Sequence, residues 1–260
     1  MSHSFIKALI VLFVILLLSA IFVPASVSAQ AIQIPDINLQ IGGDDEGEED
    51  PESLVGFLQL LLILSVLTLA PAFVMLTTSF TRIVIVLSFT RNAMATQQIP
   101  PNQVLIGLAL FLTYFVMQPT LAVINETAIQ PYIEGEIEQE VALELAADPL
   151  REFMFYHTRE RDLALFVNIA DIEEPETQED IPLHVLVPAF VISELKTAFQ
   201  MGFMLYVPFL IVDMVVASTL MSMGMFMLPP VIVSMPFKLL LFILVDGWHL
   251  VVSSLLQSFN

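Results

Sequence analysis

Apolar residues run along this chain in four long blocks, divided by two strongly polar stretches. The first block covers residues 54–80 and contains Pro71, where the missing backbone donor predicts a kink or break. Apolar character continues from Thr81 to Thr90, with Arg82 and Arg91 at its ends. Asn92 to Gln103 is polar and turn-rich and holds Pro100 and Pro101. Val104 to Val123 is the second block. Residues 186–220 form the third, with Glu194 and Lys196 at its start and Pro208 inside it. Residues 225–256 form the fourth. The stretch from Met201 to Leu255 alone is long enough to cross a bilayer twice, since one helical span needs about 20 residues.

The polar stretch between the second and third blocks reads as helical. Ile133, Ile137, Val141 and Leu145 recur every four residues with glutamates between them, the pattern of an amphipathic helix. Asp148 then stands where an N-cap belongs and Pro149 where the first helical residue belongs. A further helix is predicted over residues 150–170, followed by an acidic loop from Asp171 to Pro182. The predicted fold class is an all-α membrane protein: about four long hydrophobic helices, broken or kinked, plus a helical domain outside the membrane.

Composition narrows this picture. Hydrophobic residues make up 57% of the chain and charged residues 13%, with a mean hydropathy of +0.85; a soluble domain usually carries about 25% charged residues. The net charge of −19 is unevenly placed. Eight acids precede residue 53, sixteen lie between Glu126 and Asp180, and only Glu194, Asp213 and Asp246 remain, all in apolar surroundings. Such acidity argues against nucleic acid as a partner. The chain has no cysteine, which excludes disulfides and thiolate chemistry.

Residues 1–29 read as a secretory signal peptide. Lys7 precedes an apolar core from Ala8 to Ala20, and Val27-Ser28-Ala29 supplies small residues for cleavage after Ala29. Residues 30–53 read as an acidic disordered linker. The remaining divisions are a first hydrophobic pair over 54–123, an acidic helical domain over 124–188, and a second hydrophobic pair over 189–260. The segment holding Arg82 and Arg91 carries no acid, whereas 126–180 carries three arginines and sixteen acids. Basic residues in short loops mark the cytoplasmic side. The acidic domain and the C-terminus are therefore expected outside.

Candidate chemistry concentrates between Met201 and Leu255. Eight of the thirteen methionines lie between Met201 and Met235. Met221, Met223, Met225 and Met227 alternate, a spacing that does not share one helix face. With Gly224 and Pro229-Pro230 beside them, a loop or broken helix is expected. Irregular backbone at membrane depth is tolerated only inside protein or lining a cavity, and methionine is soft enough to seal around varied surfaces. Gap-filling in a core is the plainer alternative.

Asp213, Lys238 and Asp246 are ionisable residues at membrane depth, which usually pair or face an interior. Lys238 and Asp246 are eight residues apart, about 12 Å along one helix, too far to pair directly. A contact from Lys238 to Asp213 or to a neighbouring subunit is expected, as a structural ion pair or as a proton-coupling element. Glu194 and Lys196 point in different directions and are expected to make separate intersubunit contacts. Arg82 and Arg91 read as topology determinants or partner contacts. His157 and His184 read as surface and His249 as core. No metal-ligand spacing and no catalytic motif are present, so no cofactor is implied.

Four segments resemble one known family: TRIVIVLSFTRNAMATQQIPPNQVLIGLALFLTYFVMQP, PLREFMFYHTRERDLALF, SELKTAFQMGFMLYVPFLIVDMVVASTLMSMGMFMLPP and PFKLLLFILVDGWHLVVSSL. In order and spacing they are similar to the FliP family, flagellar biosynthesis proteins of the type III secretion export gate. The likeness covers about residues 54–258. It implies a non-enzymatic channel subunit: a ring of five copies with FliQ and FliR type subunits, forming a helical cone in the flagellar basal body of the inner membrane. Other export-apparatus and basal-body ring proteins are implied as partners, and unfolded flagellar proteins as the cargo. The family carries a methionine-rich gasket at the loop matched by Met223, Met225, Phe226 and Met227, with Phe226 where methionine is common. The competing reading is a small-ion or proton-coupled transporter using Asp213 and Lys238.

Overall fold

The computed structural model describes residues 51–96, 98–172, 177, 178 and 180–259. The signal peptide, its cleavage site at Ala29 and most of the acidic linker lie outside them. The linker's last residues, 51–53, instead open the first helix. Two compact units divide the chain, Met1–Val66 and Leu67–Asn260. Within the first, the described residues are the opening turns of α1 (Pro51–Thr77).

Every regular element among the described residues is helical. After α1 come α2 (Phe80–Ala93) and α3 (Asn102–Ile124). A π-helical turn over Asn125–Ile129 leads into the short α4 (Gln130–Glu134). Then follow α5 (Gln139–His157), α6 (Glu160–Ile169), the 40-residue α7 (Leu183–Ser222), α8 (Pro230–Leu244) and α9 (Gly247–Gln257). Three stretches are long and apolar enough to cross a membrane: Phe57–Thr77, Asn102–Glu134 and Leu183–Ser222. The bent pair α8 and α9, turned by 64°, makes up to a fourth.

Several expected boundaries move. Pro71 does not break α1, and the interruption comes after Thr77 instead. Thr77 and Thr78 fold their hydroxyls back onto the carbonyls of Phe73 and Val74, which lets the helix end there. The amphipathic helix expected through Ile133 and Leu145 is cut at Gly135, whose φ of 76° ends α4 in a left-handed cap. The Gly135 and Glu136 N–H groups return to the carbonyls of Tyr132 and Pro131. Asp148 and Pro149 do not start a helix but sit inside α5, since a capping pair acts as one only where the chain before it is non-helical. The helix expected over 150–170 divides at Thr158 and Arg159, both extended. There the Arg159 N–H leaves the helical pattern to donate to Ser193 Oγ at 3.0 Å.

Two apolar clusters hold the second unit. One joins Phe80, Ile83, Val86 and Leu87 of α2 to Leu105 and Ala109 of α3, Ala198 and Phe209 of α7, Phe242 of α8, and Val251 and Leu255 of α9. The α2 residues repeat at three and four positions, the spacing of one buried face. The second cluster packs Met154 of α5 against Ile181 and against Val185, Leu186 and Phe190 of α7. The two helices α2 and α7 approach closely because residue 202 is glycine. A Cβ there would stand 2.6 Å from the Phe89 ring. That ring is flanked edge-on by Phe199 and Tyr206, with centroids at 5.4 and 6.3 Å.

The length of α7 has a consequence for the membrane. Forty residues of helix span about 60 Å at the standard rise, twice the hydrocarbon core. Its first half is buried in protein through Val185, Ala189, Phe190, Ser193, Glu194 and Ala198. Its second half turns Leu210, Ile211, Met214 and Val215 outward.

Candidate functional site

Charges inside the fold pair within the chain. Arg82 of α2 and Glu194 of α7 are 3% and 0% exposed. Arg82 Nε donates to Glu194 Oε2 at 2.8 Å, and Nη2 donates to Oε1, so the guanidinium fork meets the carboxylate edge to edge. Arg82 Nη1 donates to the Ser258 carbonyl at 2.8 Å and reaches its hydroxyl at 3.0 Å. The guanidinium carbon lies 3.9 Å from the Phe259 ring centroid, a cation–π contact. One arginine thus ties α2, α7 and the residues after α9 together. Arg82, read from sequence as a loop charge, faces the core, and Glu194, expected to meet a neighbouring subunit, is satisfied by its own chain.

A second pair sits between α7 and α8. Lys238 Nζ is 2.6 Å from Asp213 Oδ2, and Ser234 Oγ donates to Oδ1 of the same carboxylate. Ser234 and Lys238 are four residues apart, so α8 presents both from one face. Ser234 and Lys238 are buried, while the Asp213 side chain keeps 26% of its surface open. Asp246 joins neither pair. It is exposed at the corner between α8 and α9, with φ 49°, a left-handed conformation that aspartate tolerates. Behind the corner Gly247 is pressed on the Phe242 ring, where a Cβ would come within 2.3 Å.

A third polar knot fastens α6 to α7. Ser193 Oγ donates to buried Asp162 Oδ2 at 3.0 Å, and Arg159 Nη2 donates to Thr197 Oγ1 and Gln200 Oε1 at 3.1 and 2.7 Å. Lys196, expected at a subunit contact, lies 3.8 Å from Asp162 with its side chain 44% exposed. Arg91 closes the turn before α3 through the Pro100 carbonyl and Asn102 Oδ1. Arg159, Asp162, Ser193, Ser234 and Phe259 were not singled out from sequence. Ser234 alone carried a local signal, its four-residue offset from Lys238.

The histidines divide differently from their expected places. His184 is exposed, and so is His249, which was expected in the core. His157, expected on the surface, is half-buried among Phe153, Tyr156 and Phe259, with ring centroids at 4.7, 5.0 and 5.2 Å. Burial, and then the nearby positive charge of Arg82, lower its pKa to about 4, so it is neutral near pH 7. It lines an open cavity of about 560 Å³ with Phe115, Pro119, Glu152, Tyr156 and Phe259. Among the described residues no cluster of histidine and carboxylate side chains is placed to hold a metal.

Between α7 and α8 the chain forms a loop over residues 223–229. Gly224 adopts φ 73°, the Gly224 N–H returns to the Met221 carbonyl, and the Met225 N–H returns to the Leu220 carbonyl. These two bonds make the helix-ending Schellman motif. Beyond it, Met223, Met225, Phe226 and Met227 are 68%, 40%, 77% and 98% exposed. An apolar groove of about 450 Å³ between α7 and α8 is lined by Val212, Val215, Thr219, Val233 and Phe237.

Comparison with known proteins gives one consistent result. The model of the FliP family matches residues 63–255. A flagellar biosynthetic protein FliP of Bacillus subtilis (strain 168) is 61% identical over 210 residues, covering 81% of this chain and 95% of that protein. One from Pectobacterium carotovorum subsp. carotovorum is 57% identical over 201 residues, covering 77% and 78%. One from Aquifex aeolicus (strain VF5) is 49% identical over 248 residues, covering 95% and 98%.

Proposed function

The chain belongs to the FliP family, and from that premise we propose that it is a structural channel subunit of the flagellar type III protein export gate. In this reading it is not an enzyme. It assembles as a ring of five copies with FliQ and FliR type subunits in the inner membrane at the flagellar basal body. Unfolded flagellar proteins cross through the ring. The acidic domain and C-terminus face the periplasm; with Arg82 inside the core, that orientation rests on Arg91 and on the acids of 126–180.

The observation that carries the channel reading is the loop 223–229. Four large apolar side chains stand open to their surroundings on an irregular backbone between two apolar helices. Isolated soluble proteins seldom leave such a patch uncovered, and membranes admit irregular backbone only within protein or along a cavity. A ring that gathers these loops at its axis meets both conditions. The outward second half of α7 supports the same reading, since a helix of this length exceeds one bilayer and needs neighbours to cover it.

The test is assembly. Expressed alone, the chain should run as a homo-oligomer, and co-expression with FliQ and FliR type subunits should increase the particle mass. A monomer or dimer that conducts ions in liposomes overturns the gate. The open edge of Asp213 favours a second reading, a proton-coupled transporter using Asp213 and Lys238. Full export by an Asp213→Asn variant removes it.

A further inference from the structure

Helices α5 and α6 each turn one face away from the rest of the chain, and the two faces are unlike. Along α5 the acids Glu140, Glu144, Asp148 and Glu152 recur every four residues, all exposed. Among the described residues none of the four has a hydrogen-bond or ion-pair partner. The same stripe continues to Tyr156, 75% exposed, at the mouth of the open cavity of about 560 Å³. Helix α6 packs Leu163, Phe166 and Val167 into the second apolar cluster. Its opposite face presents Arg161, Leu165 and Ile169, again four apart and all exposed. Arg161 likewise has no partner among the described residues. Two further cations stand beside it. Lys196 Nζ lies 3.8 Å from the carboxylate of Asp162, the next residue, and Arg159 donates to the neutral oxygens of Thr197 and Gln200. These cations gather at the start of α6 against exposed Glu160 and buried Asp162.

A two-fold contact uses one face twice, and a stripe of like charge repels its own copy. Two unlike faces on one chain suit a head-to-tail contact instead, the kind that closes into a ring. We propose that α6 of one copy docks along α5 of the next, with Arg161 opposite Asp148 and Ile169 at Tyr156 and the cavity mouth. The proposal rests on the export-gate reading, which supplies a ring but not the faces that meet in it. Register follows from spacing. Arg161 and Ile169 are eight residues apart, as are Asp148 and Tyr156. Both separations are about 12 Å of helix. Parallel alignment sets cation on acid and aliphatic on aromatic, whereas the reverse presses Ile169 onto a carboxylate. Lys196 adds its charge at the Arg161 end. The charges fix direction and register, and the apolar contact supplies the burial.

The chain has no cysteine, so crosslinking sites can be placed one at a time. Two full-length chains with different tags, one carrying Asp148→Cys and one Arg161→Cys, are co-expressed with the FliQ and FliR type subunits. A short bismaleimide added to the purified complex should give a covalent dimer holding both tags. Neither chain expressed without the other should crosslink. Charge reversal supplies a second readout. Arg161→Asp and Asp148→Arg should each lower the oligomeric fraction seen by native mass spectrometry, and both changes in one chain should restore it. Both residues are exposed, so neither change disturbs the fold. An intact oligomer without the mixed-tag crosslink overturns this contact and leaves the gate reading standing. Self-crosslinking of either chain makes the contact two-fold and also overturns it. Reversals that fail to rescue each other show that Arg161 and Asp148 do not meet. A wild-type chain that never forms an oligomer overturns the gate reading and this contact with it.

Discussion

Arg82 holds Glu194 through a two-pronged contact across 112 residues of sequence, at a point where the glutamate has no exposed surface. Removing one partner leaves the other charge buried without compensation. Glu194→Ala or Arg82→Ala should each destabilise the fold by about 3–5 kcal/mol. Arg82→Lys keeps the charge but loses the fork and the face that stacks on Phe259, and should fall between wild type and the alanine variants. Thermal melts of the detergent-purified chain give the order, and a lysine variant as stable as wild type refutes the role assigned to the fork.

Lys238 and Asp213 offer a cleaner partition because Asp213 retains an open edge. Lys238→Met strands a half-open carboxylate, whereas Asp213→Asn strands a buried ammonium. The lysine should therefore tolerate loss of its partner less well. Their double variant should recover part of the sum, with a coupling of roughly 0.5–3 kcal/mol as contacting groups show. Additive effects would mean that the 2.6 Å contact contributes nothing to the fold.

What the sequence made legible follows from range. The helical class was readable because apolar runs of this length have few alternatives. The methionine loop was readable because alternation, Gly224 and Pro229-Pro230 all oppose a continuous helix. Proline misled at one point: Pro71, expected to kink or break the first block, lies within an unbroken α1. Arg82 and Glu194 each looked like a charge in search of an outside partner, since nothing local ties residue 82 to residue 194 or to Phe259. Asp213 and Lys238 were closer to reach, because a short loop folds α8 back on α7 and limits which acid a buried lysine can meet. Asp246 looked buried only because its neighbours are apolar. The chain turns there, and a corner exposes what a straight helix would have enclosed.

Gly202 should resist substitution. Gly202→Ala puts a methyl 2.6 Å from the Phe89 ring, which Phe199 and Tyr206 hold in place. Overpacking of this kind costs about 1–3 kcal/mol. Trimming the obstruction with Phe89→Leu should restore part of the loss in the double variant. If Gly202→Ala alone melts with wild type, the close approach of α2 and α7 is not tight.

Acid should weaken the fold in part through His157. Its pKa falls from 6.5 to about 4 on folding, because burial and the charge of Arg82 disfavour the imidazolium. Above pH 6.5 both states are neutral and the group contributes nothing. As pH falls from 6.5 towards 4, the unfolded chain takes up a proton that the folded chain refuses, and stability is lost. Below about 4 the loss levels off. His157→Gln removes this dependence, so wild type should lose stability relative to the variant between pH 7 and pH 4.5. Parallel melting curves across that range would show that His157 titrates normally.

Loop substitutions should separate function from stability. Met227 is 98% exposed, so Met227→Asp removes almost no buried contact from the chain and should shift its melting by less than about 0.5 kcal/mol. In an assembled ring the same change would place one carboxylate per subunit among methionine and phenylalanine side chains, where like charges repel and draw in water. Proton leak through vesicles bearing the complex should therefore rise sharply, while Met227→Leu leaves it low. A large loss of stability would mean that the loop belongs to the core. An unchanged leak with normal stability would take the loop away from the pore.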